Sequence, residues 1–411
     1  MAYTHKKSMD MFKRAAKVIP SGIYGHFTPA LMMPGHTPYF ISKAKGPRFW
    51  DVDGNEYIDY MCAYGPMILG YANRKVDEAF AKQAKLGTAT MPPTALMVEL
   101  AEKMVEINDC ADWALFAKNG GDTTSWAIYI ARGYRKRNKI VLATGGYHGT
   151  QPWSGSNHTG VTPNDTADII LVPWGDLAAF QKAVENNPDQ IAGVMMTPYN
   201  HPTFAPSVLP PDGYWAGMRR VCDDNDIVLI IDDVRAGWRL DIKGSAHSFG
   251  FRPDLACYCK AIANGYPISA IVGAEKLKLT ASKVFHTGSY WGNSPEMAAA
   301  LACIEEMQNI DAAGICHERG KQLREGLLEL ATAHGLQFDV SGPLPIPFIR
   351  FTNETNFKRS QLFVKECILN GVYFAWHHNM FLSAAHTKKD IEQTLDVADK
   401  AFKVVKKQFG S

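Results

Sequence analysis

The sequence predicts an α/β protein: a mostly parallel central sheet with helices on both faces, plus a smaller α+β domain. The main observation is that, from about Lys75 onward, segments with helical periodicity alternate with short β-branched runs. Strands that alternate with helices usually pair in parallel and are covered on both faces. The length of 411 residues allows one large domain and a smaller one, and 46% hydrophobic with 20% charged residues is an ordinary globular composition.

The elements of this alternation follow one another along the chain. Apolar residues at helical spacing predict helices in VDEAFAKQAKLG, TALMVELAEKMVEI, TTSWAIYIARGYRKR, LAAFQKAVENN and GYWAGMRRVCDDND. Short apolar runs predict strands in WALFAK, KIVLAT, DIILVPW, IAGVMMTP, IVLIIDDV and DLACYC.

The pattern changes near Gly342, after the long helical segment SPEMAAALACIEEMQN. Short strands are predicted in SGPLPIPFIRF, GVYFAW and FLSAAH, and an amphipathic helix in KKDIEQTLDVADKAFKVVKKQF. We therefore expect residues 1–65 to contribute to a small domain, residues 66–315 to form the large α/β domain, and residues 316–411 to complete the small domain.

Composition excludes several classes of partner. The net charge of +2, without a run of five or six like charges, argues against nucleic acid. No window approaches eighteen consecutive apolar residues, so no membrane partner is expected. The eight scattered cysteines and the absence of an N-terminal apolar signal segment favour a reducing, cytoplasmic location. Cys257 and Cys259 form a C-x-C without a second ligand cluster, so no metal is expected.

Three polar residues stand where predicted strands end: Asn119, Asp232 and Lys260. In open α/β sheets, ligands bind beyond the carboxyl ends of strands. The glycines of NGGD allow backbone N–H groups to approach an anion at a helix N-terminus. Taken singly, each residue has an ordinary alternative: a plain turn for NGGD, a helix cap or ion pair for Asp232, and a solvated ammonium for Lys260.

Together the three residues suit pyridoxal phosphate. This cofactor needs an anion site for its phosphate, a carboxylate that keeps its ring nitrogen protonated, and an amine that forms an imine with its aldehyde. The order of a phosphate loop, a carboxylate and a lysine along the chain supplies all three.

The chain resembles a family with this chemistry. The motifs that carry the resemblance are GPRFWDVDGNEYIDY, GPMILGYA, ARGY, YHG, LIIDDVRAGWR, PDLACYCKAIANGYPISAIVG and GSYWGN. As a set, in this order and spacing, they resemble class III (subgroup II) pyridoxal-phosphate aminotransferases of fold type I, most closely the glutamate-1-semialdehyde 2,1-aminomutase branch. The resemblance extends over nearly the whole chain.

The resemblance implies roles for the residues at the cofactor ring. Lys260 would form the imine and, once released, carry a proton between the substrate carbon and the cofactor. Asp232 would hold the pyridinium nitrogen, Val234 would pack under the ring, and Tyr147 would stack over it, with His148 nearby.

The resemblance also implies how the phosphate is held. Asn119, Gly120 and Gly121 would bind it at the positive end of the following helix. Ser289 stands where the family often has a threonine that reaches the phosphate from the partner subunit. A homodimer with shared active sites is therefore expected.

The substrate side departs from the aminomutase pattern. The segment GIYGHFTPAL lacks the branch's arginine, with Thr28 near its place, and the usual Glu-Pro is Thr197-Pro198. The candidates for substrate binding are Arg235, His26 and Thr28, with His377 and His378 as further polar candidates. Arg235 offers a bidentate fork for a carboxylate, although an ion pair with Asp233 is an equal alternative.

We therefore predict an aminotransferase that moves an amino group from an amino-acid donor to a carbonyl acceptor other than a simple 2-oxo acid. Such a reaction belongs to the biosynthesis of an unusual amine, an amino sugar or a β-amino acid. The alternatives are glutamate-1-semialdehyde 2,1-aminomutase, or a racemase or lyase on the same fold. A nicotinamide oxidoreductase is disfavoured because no G-x-G-x-x-G follows a strand, and a catalytically silent paralogue would not need all three cofactor-binding features.

Overall fold

The chain forms two compact units in a computed structural model that describes residues 3–25, 33–154, 159–352 and 354–410. The small unit comprises Met1–Asn73, Thr203–Ser207 and Gly314–Ser411, and the large unit comprises Arg74–Pro202 and Val208–Ala313. The domain bounds 1–65, 66–315 and 316–411 remain a prediction, because compactness alone does not show which part of a chain folds independently.

The strands and helices are numbered in chain order. The strands are β1 (Ile41–Lys45), β2 (Arg48–Asp51), β3 (Glu56–Asp59), β4 (Trp113–Ala117), β5 (Lys139–Ala143), β6 (Ile169–Val172), β7 (Ile191–Met196), β8 (Val228–Asp232), β9 (Leu255–Tyr258), β10 (Ser269–Gly273), β11 (Phe338–Ser341), β12 (Phe348–Phe351) and β13 (Val372–Tyr373). The helices are α1 (Lys6–Ala15), α2 (Arg74–Ala84), α3 (Leu96–Ile107), α4 (Gly120–Arg135), α5 (Pro163–Thr166), α6 (Leu177–Glu185), α7 (Tyr214–Asp224), α8 (Ser245–Ser248), α9 (Glu275–Ala281), α10 (Ser294–Asn309), α11 (Ala312–Ala333), α12 (Lys358–Leu369) and α13 (Lys388–Phe409).

The large unit is built around a sheet with the strand order β4-β10-β9-β8-β7-β5-β6. Strand β10 runs antiparallel to both neighbours, and the other pairings are parallel. Every residue of β7, β8 and β10 is buried. Strands buried on both faces are typical of sheets covered by helices on each side, so the predicted α/β class is confirmed.

Alternating side chains along each strand enter two separate cores. In β5, Ile140 and Leu142 join a cluster that includes residues of α4, whereas Val141 and Ala143 join a cluster that includes residues of α6 and α7. Successive strand residues point to opposite faces, so the two clusters lie on opposite faces of the sheet. This packing fixes the strand ends from which the candidate site is built.

The small unit combines a sheet of order β1-β2-β3-β13 with the antiparallel pair β11 and β12. The prediction of a strand in FLSAAH is wrong. The N–H groups of Phe381, Leu382 and Ala384 donate to the carbonyls of three separate segments, at Tyr60, Pro345 and Ile68. Because these bonds go to different segments, the stretch is largely buried but belongs to no ladder.

Two features are absent from the described residues. Within them, no helix is both long and apolar enough to cross a membrane. The same ranges also contain no group of three or more histidine, cysteine, aspartate or glutamate side chains arranged to hold a metal ion.

The core of the small unit depends on a cluster of phenylalanine rings. Phe363 is fully buried, and its ring lies 4.5 Å from that of Phe402 and 5.5 Å from that of Phe338. We expect Phe363→Ala to lower the free energy of unfolding by about 3 to 5 kcal/mol through lost burial and the cavity left behind. Urea unfolding followed by circular dichroism measures this. Val18→Ala, at a site 81% exposed, is the matched control and should change stability little; equal effects would contradict the prediction.

Candidate active site at the carboxyl edge of the large sheet

Three predicted site residues lie at the same edge of the large sheet. Strand β8 ends at Asp232, Lys260 comes two residues after β9 ends, and Asn119 comes two residues after β4 ends. Asp232 is paired with Cys257 in the β8–β9 register. Because β4, β8 and β9 point the same way, their carboxyl ends meet at one edge.

Asp232 is a buried carboxylate with fixed partners. It is 6% exposed, its Oδ2 lies 2.7 Å from His148 Nδ1, and its Oδ1 accepts the N–H of Val234 at 3.1 Å. The adjacent Asp233 accepts the N–H of Ser245 at 2.8 Å, and burial raises its pKa to about 7. The two neighbouring carboxylates therefore have separate partners, as strand alternation requires.

Lys260 occupies an unusual backbone position and is half-buried. Its φ of 35° is positive, and it begins a 3₁₀ turn, Lys260–Ala263, in which the N–H of Ile262 donates to Cys259. Burial of the ammonium, followed by the positive charge of Arg235, lowers the pKa of Lys260 to about 7. A large share of the amine is therefore neutral near neutral pH, the form that attacks an aldehyde.

The NGGD loop begins helix α4. Asn119 is the N-cap in an extended conformation, and Asp122 Oδ2 accepts the N–H of Asn119 at 2.8 Å. The first turn of a helix presents N–H groups without intrahelical acceptors and a positive dipole end. A Cβ on Gly120 would lie 2.8 Å from a methyl of Val234. This glycine therefore allows the loop to lie directly against Val234.

The YHG loop is packed onto the start of the same helix. Gly149 has a φ of 121°, and a Cβ there would lie 2.7 Å from the Cα of Gly121. Thr124 Oγ1 donates to the carbonyl of His148 at 2.7 Å. These contacts bring His148 to Asp232 and set Tyr147, which is 38% exposed, beside them. The YHG motif indicated Tyr147 and His148 as site residues. It did not show that Gly149 is needed for the close contact with Gly121.

The arrangement matches the needs of pyridoxal phosphate. One edge carries helix N–H groups for a phosphate, a buried carboxylate for a ring nitrogen, and an amine with a lowered pKa for an aldehyde. His148 Nε2 is buried and has no hydrogen-bond partner among the described residues. Asn119 to Gly121, Asp232 and Lys260 are thus the residues that would hold this cofactor.

Ser289, His377 and His378 are not at the strand ends that carry Asn119, Asp232 and Lys260. Ser289 is an exposed residue of the loop before α10, and it lines a groove of about 590 Å³ in the large unit together with Met91, Trp126 and His286. His377 and His378 belong to the small unit. His26 and Thr28 lie outside the described residues. The charge of Arg235 acts on Tyr147 and Tyr199 as well as on Lys260.

Two features of this region were not predicted. Lys118, next to the N-cap, lies 3.2 Å from Glu296 in α10, and both side chains are largely buried. Tyr199, three residues after β7, is fully buried. Lys118 is the last residue of the predicted strand WALFAK, and nothing in the sequence pairs positions 118 and 296.

Comparison with known proteins gives the family. Residues 32–399 match the family described as aminotransferase class-III. The chain is 38% identical to an aminopentol aminotransferase from Sphingopyxis macrogoltabida, over 98% of this chain and 96% of that protein. It is 32% identical to a 3-aminobutyryl-CoA aminotransferase from Cloacimonas acidaminovorans, over 98% of each. It is also 32% identical to a glutamate-1-semialdehyde 2,1-aminomutase from Methanosphaera stadtmanae, over 96% of this chain and 97% of that protein.

A solved structure extends this result to the fold and the cofactor. The PLP internal aldimine form of the FumI protein from Sphingopyxis sp. MTA144 superimposes with a TM-score of 0.96 at 38% identity, covering 99% of this chain and 98% of that one. The expected fold type I architecture and the expected cofactor are both confirmed. The chain belongs to the class-III aminotransferase family, and it is an aminotransferase that depends on pyridoxal phosphate.

Proposed function

We propose that this aminotransferase takes its amino group from an amino-acid donor and passes it to a carbonyl acceptor other than a simple 2-oxo acid. The observation that carries this proposal is the 38% identity, over nearly the full length, to an enzyme named for aminopentol. The relative named for 3-aminobutyryl-CoA supports the same class of reaction. The product would be an unusual amine, an amino sugar or a β-amino acid.

Lys260 and Asp232 carry the central roles in this proposal. Bound pyridoxal phosphate supplies an electron sink for the negative charge left when a substrate carbon loses its proton. Lys260 Nζ attaches the cofactor and, when free, holds and returns that proton. Asp232, kept in place by His148, stabilises the positive charge on the ring nitrogen.

The remaining cofactor contacts come from two loops and a strand end. Asn119, Gly120 and Gly121 hold the phosphate at the start of α4, where the dipole favours an anion. Val234 packs against one face of the ring, and Tyr147 against the other. The close approach of Gly120 to Val234 supports this assignment, because it brings the phosphate loop and the lower ring contact together.

Arg235 is proposed to bind an acid group of the donor or acceptor, or of a sugar acid. Its charge already acts on Lys260, and its planar fork suits a carboxylate. His26 and Thr28 remain additional candidates for substrate binding. Unchanged Michaelis constants for every accepted acid in Arg235→Ala would rule out this role for the arginine.

We also propose a homodimer in which Ser289 reaches the phosphate of the partner subunit. Large apolar side chains of the large unit are exposed on the segments near Ser289, including Met91 at 93% and Phe285 at 88%. Exposed apolar patches of this kind usually mark an interaction surface. A second copy of the chain, which brings Ser289 to a second site, is the partner that fits.

The proposed location is the cytoplasm. None of the eight cysteines, all of which lie within the described residues, forms a disulfide, and seven of them are buried, which is the expected state in a reducing compartment. A fluorescent fusion found outside the cytoplasm would contradict this.

Glutamate-1-semialdehyde 2,1-aminomutase is retained as a second candidate because of the 32% identity to such an enzyme. In that reaction one substrate is both donor and acceptor. Turnover of the semialdehyde without any added donor would favour the mutase. Racemisation of an amino acid, or elimination from it, under the same conditions would favour the racemase or lyase alternative.

The donor half-reaction tests the proposed function directly. The holoenzyme is mixed with single amino acids and amines, and the loss of its visible absorption reports transfer of the amine to the cofactor. We expect a small set of amino acids to bleach the band, and Lys260→Ala to show no lysine-linked cofactor after hydride trapping. Lys276→Ala, on α9, is the matched control. Bleaching by no donor, with the cofactor linked to Lys260, would contradict the transaminase proposal.

Gly120 provides a test of the phosphate loop. Gly120→Ala should raise the dissociation constant for pyridoxal phosphate about tenfold or more, because the new Cβ would lie 2.8 Å from a Val234 methyl. Gly121→Ala is the control, since its Cβ would have no contact shorter than 3.6 Å. Reconstitution of the apoenzyme, followed by fluorescence quenching, measures both constants. Equal affinities in the two variants would argue against this packing.

The lowered pKa of Lys260 predicts a pH dependence for cofactor attachment. A lowered pKa leaves the amine neutral above its folded value, so the rate at which apoenzyme takes up pyridoxal phosphate should rise through pH 7 and then level off. Because the charge of Arg235 lowers this pKa, Arg235→Leu should shift the midpoint upward. Stopped-flow absorbance measures the rate. A wild-type midpoint near the ordinary lysine value of about 10 would contradict the prediction.

Mixed dimers test the sharing of Ser289. Ser289→Asp would repel the phosphate, and Lys260→Ala removes the attachment point. If Ser289 serves the partner's site, an equal mixture refolded together should recover about a quarter of wild-type activity, since half of the dimers are mixed and each has one intact site. A double variant that carries both changes, refolded with Lys260→Ala, should stay inactive. No recovery in the first mixture would place Ser289 in its own subunit's site, and full activity of Ser289→Asp alone would place it outside any site.

A further inference from the structure

The hydroxyl of Tyr199 is a buried polar group that the proposed function leaves unused. Tyr199 is 0% exposed, and its Oη has no hydrogen-bond partner among the described residues. A buried hydroxyl left without a hydrogen-bond partner destabilises the folded protein. Native proteins rarely retain such a group unless a ligand or an ordered water completes it.

Tyr199 lies at the same edge of the large sheet as the cofactor-binding residues. It follows β7, which pairs with β8, and β8 pairs with β9. Across the edge, the strand order gives the phosphate loop after β4, then Lys260 after β9, Asp232 at the end of β8, and Tyr199 after β7. Tyr199 is therefore on the side of Lys260 and Asp232 that faces away from the phosphate loop.

The turn that carries Tyr199 is held in place. Thr197 Oγ1 donates to the carbonyl of Tyr199 at 2.9 Å, and Trp174 Nε1 donates to the carbonyl of Thr197 at 3.1 Å. The N–H of Asn200 donates to the carbonyl of Val208 at 2.9 Å. The backbone of this turn is thus held by hydrogen bonds that do not involve the Tyr199 hydroxyl.

The chemistry of pyridoxal phosphate identifies the ligand atom. The aldehyde carbon of the ring lies opposite the ring nitrogen, and it is flanked by the phosphate arm on one side and the 3-oxygen on the other. With the phosphate toward β4, the aldehyde at Lys260 and the nitrogen at Asp232, the 3-oxygen faces β7. We propose that the Tyr199 hydroxyl donates a hydrogen bond to the 3-oxygen of the cofactor. This inference rests on the proposed anchoring at Lys260 and Asp232.

The electrostatic surroundings suit a phenol donor. Burial raises the pKa of Tyr199 well above its ordinary value, so the hydroxyl stays protonated. The positive charges of Arg235 and Arg239 act on the same phenol and also on Lys260. Cations and a donor near the 3-oxygen favour its anionic form. The same cations and donor would also lower the affinity of the 3-oxygen for the proton that it shares with the imine nitrogen at Lys260.

The test is a spectroscopic titration of Tyr199→Phe. Loss of the donor should strengthen the hold of the 3-oxygen on the shared proton. The pH midpoint of the cofactor's visible absorption change should therefore rise by about one to two units. The dissociation constant for pyridoxal phosphate should rise about tenfold. Tyr214→Phe, at a buried tyrosine that begins α7 and whose ring lies 5.4 Å from that of Trp174, is the control and should change neither quantity.

The outcomes separate this inference from the proposed function. If neither the midpoint nor the affinity changes in Tyr199→Phe, the inference is wrong. A higher Michaelis constant for an acid substrate, with an unchanged midpoint and affinity, also overturns it, because Tyr199 would then bind substrate. If hydride trapping finds no cofactor on Lys260 in the wild-type protein, the anchoring itself fails. A normal adduct on Lys260 in Tyr199→Phe shows that the variant folds and attaches the cofactor.

Discussion

The contact between His148 Nδ1 and Asp232 Oδ2, at 2.7 Å, is the interaction around which the candidate active site is arranged. A buried carboxylate is costly unless hydrogen bonds or opposite charge compensate for lost water. At Asp232 the compensation comes from His148 and the N–H of Val234. A protonated cofactor ring nitrogen would supply a further positive charge. The carboxylate is thus kept in place for a partner of that kind.

The close packing of the large sheet holds the Asp232 carboxylate in this position. Strands β7 and β8 are buried over their whole length, with one core on each face. Close-packed interiors permit little adjustment, so the groups at the strand ends keep their relative positions. The contact between Gly121 and Gly149 then joins the phosphate loop to the loop that supplies His148.

The same edge satisfies two opposed electrostatic needs. Asp232 should be charged to hold a cofactor nitrogen, whereas Lys260 should be neutral to attack an aldehyde. Burial, and then the charge of Arg235, lowers the pKa of Lys260 to about 7. Arg235 and Arg239 also act on Tyr199. The positive charges close to the lysine thus favour its reactive form, and they favour an anionic oxygen on the proposed cofactor.

The sequence by itself determined the fold class and the three strand-end residues, because apolar periodicity and glycine placement are local properties of the chain. The chemistry of those three residues indicated the cofactor, and the resemblance of the motifs indicated the family. The sequence did not determine the contacts between distant positions. Three such contacts depend on strand order and register: Gly149 beside Gly121, the 3.2 Å pair of Lys118 with Glu296, and the Tyr199 hydroxyl, for which the described part of the chain offers no partner. The stretch FLSAAH has the local pattern of a strand, yet its N–H groups find carbonyls in three different segments. Only the tertiary structure decides such contacts, since a backbone group or a buried hydroxyl is satisfied by whatever the rest of the chain brings beside it.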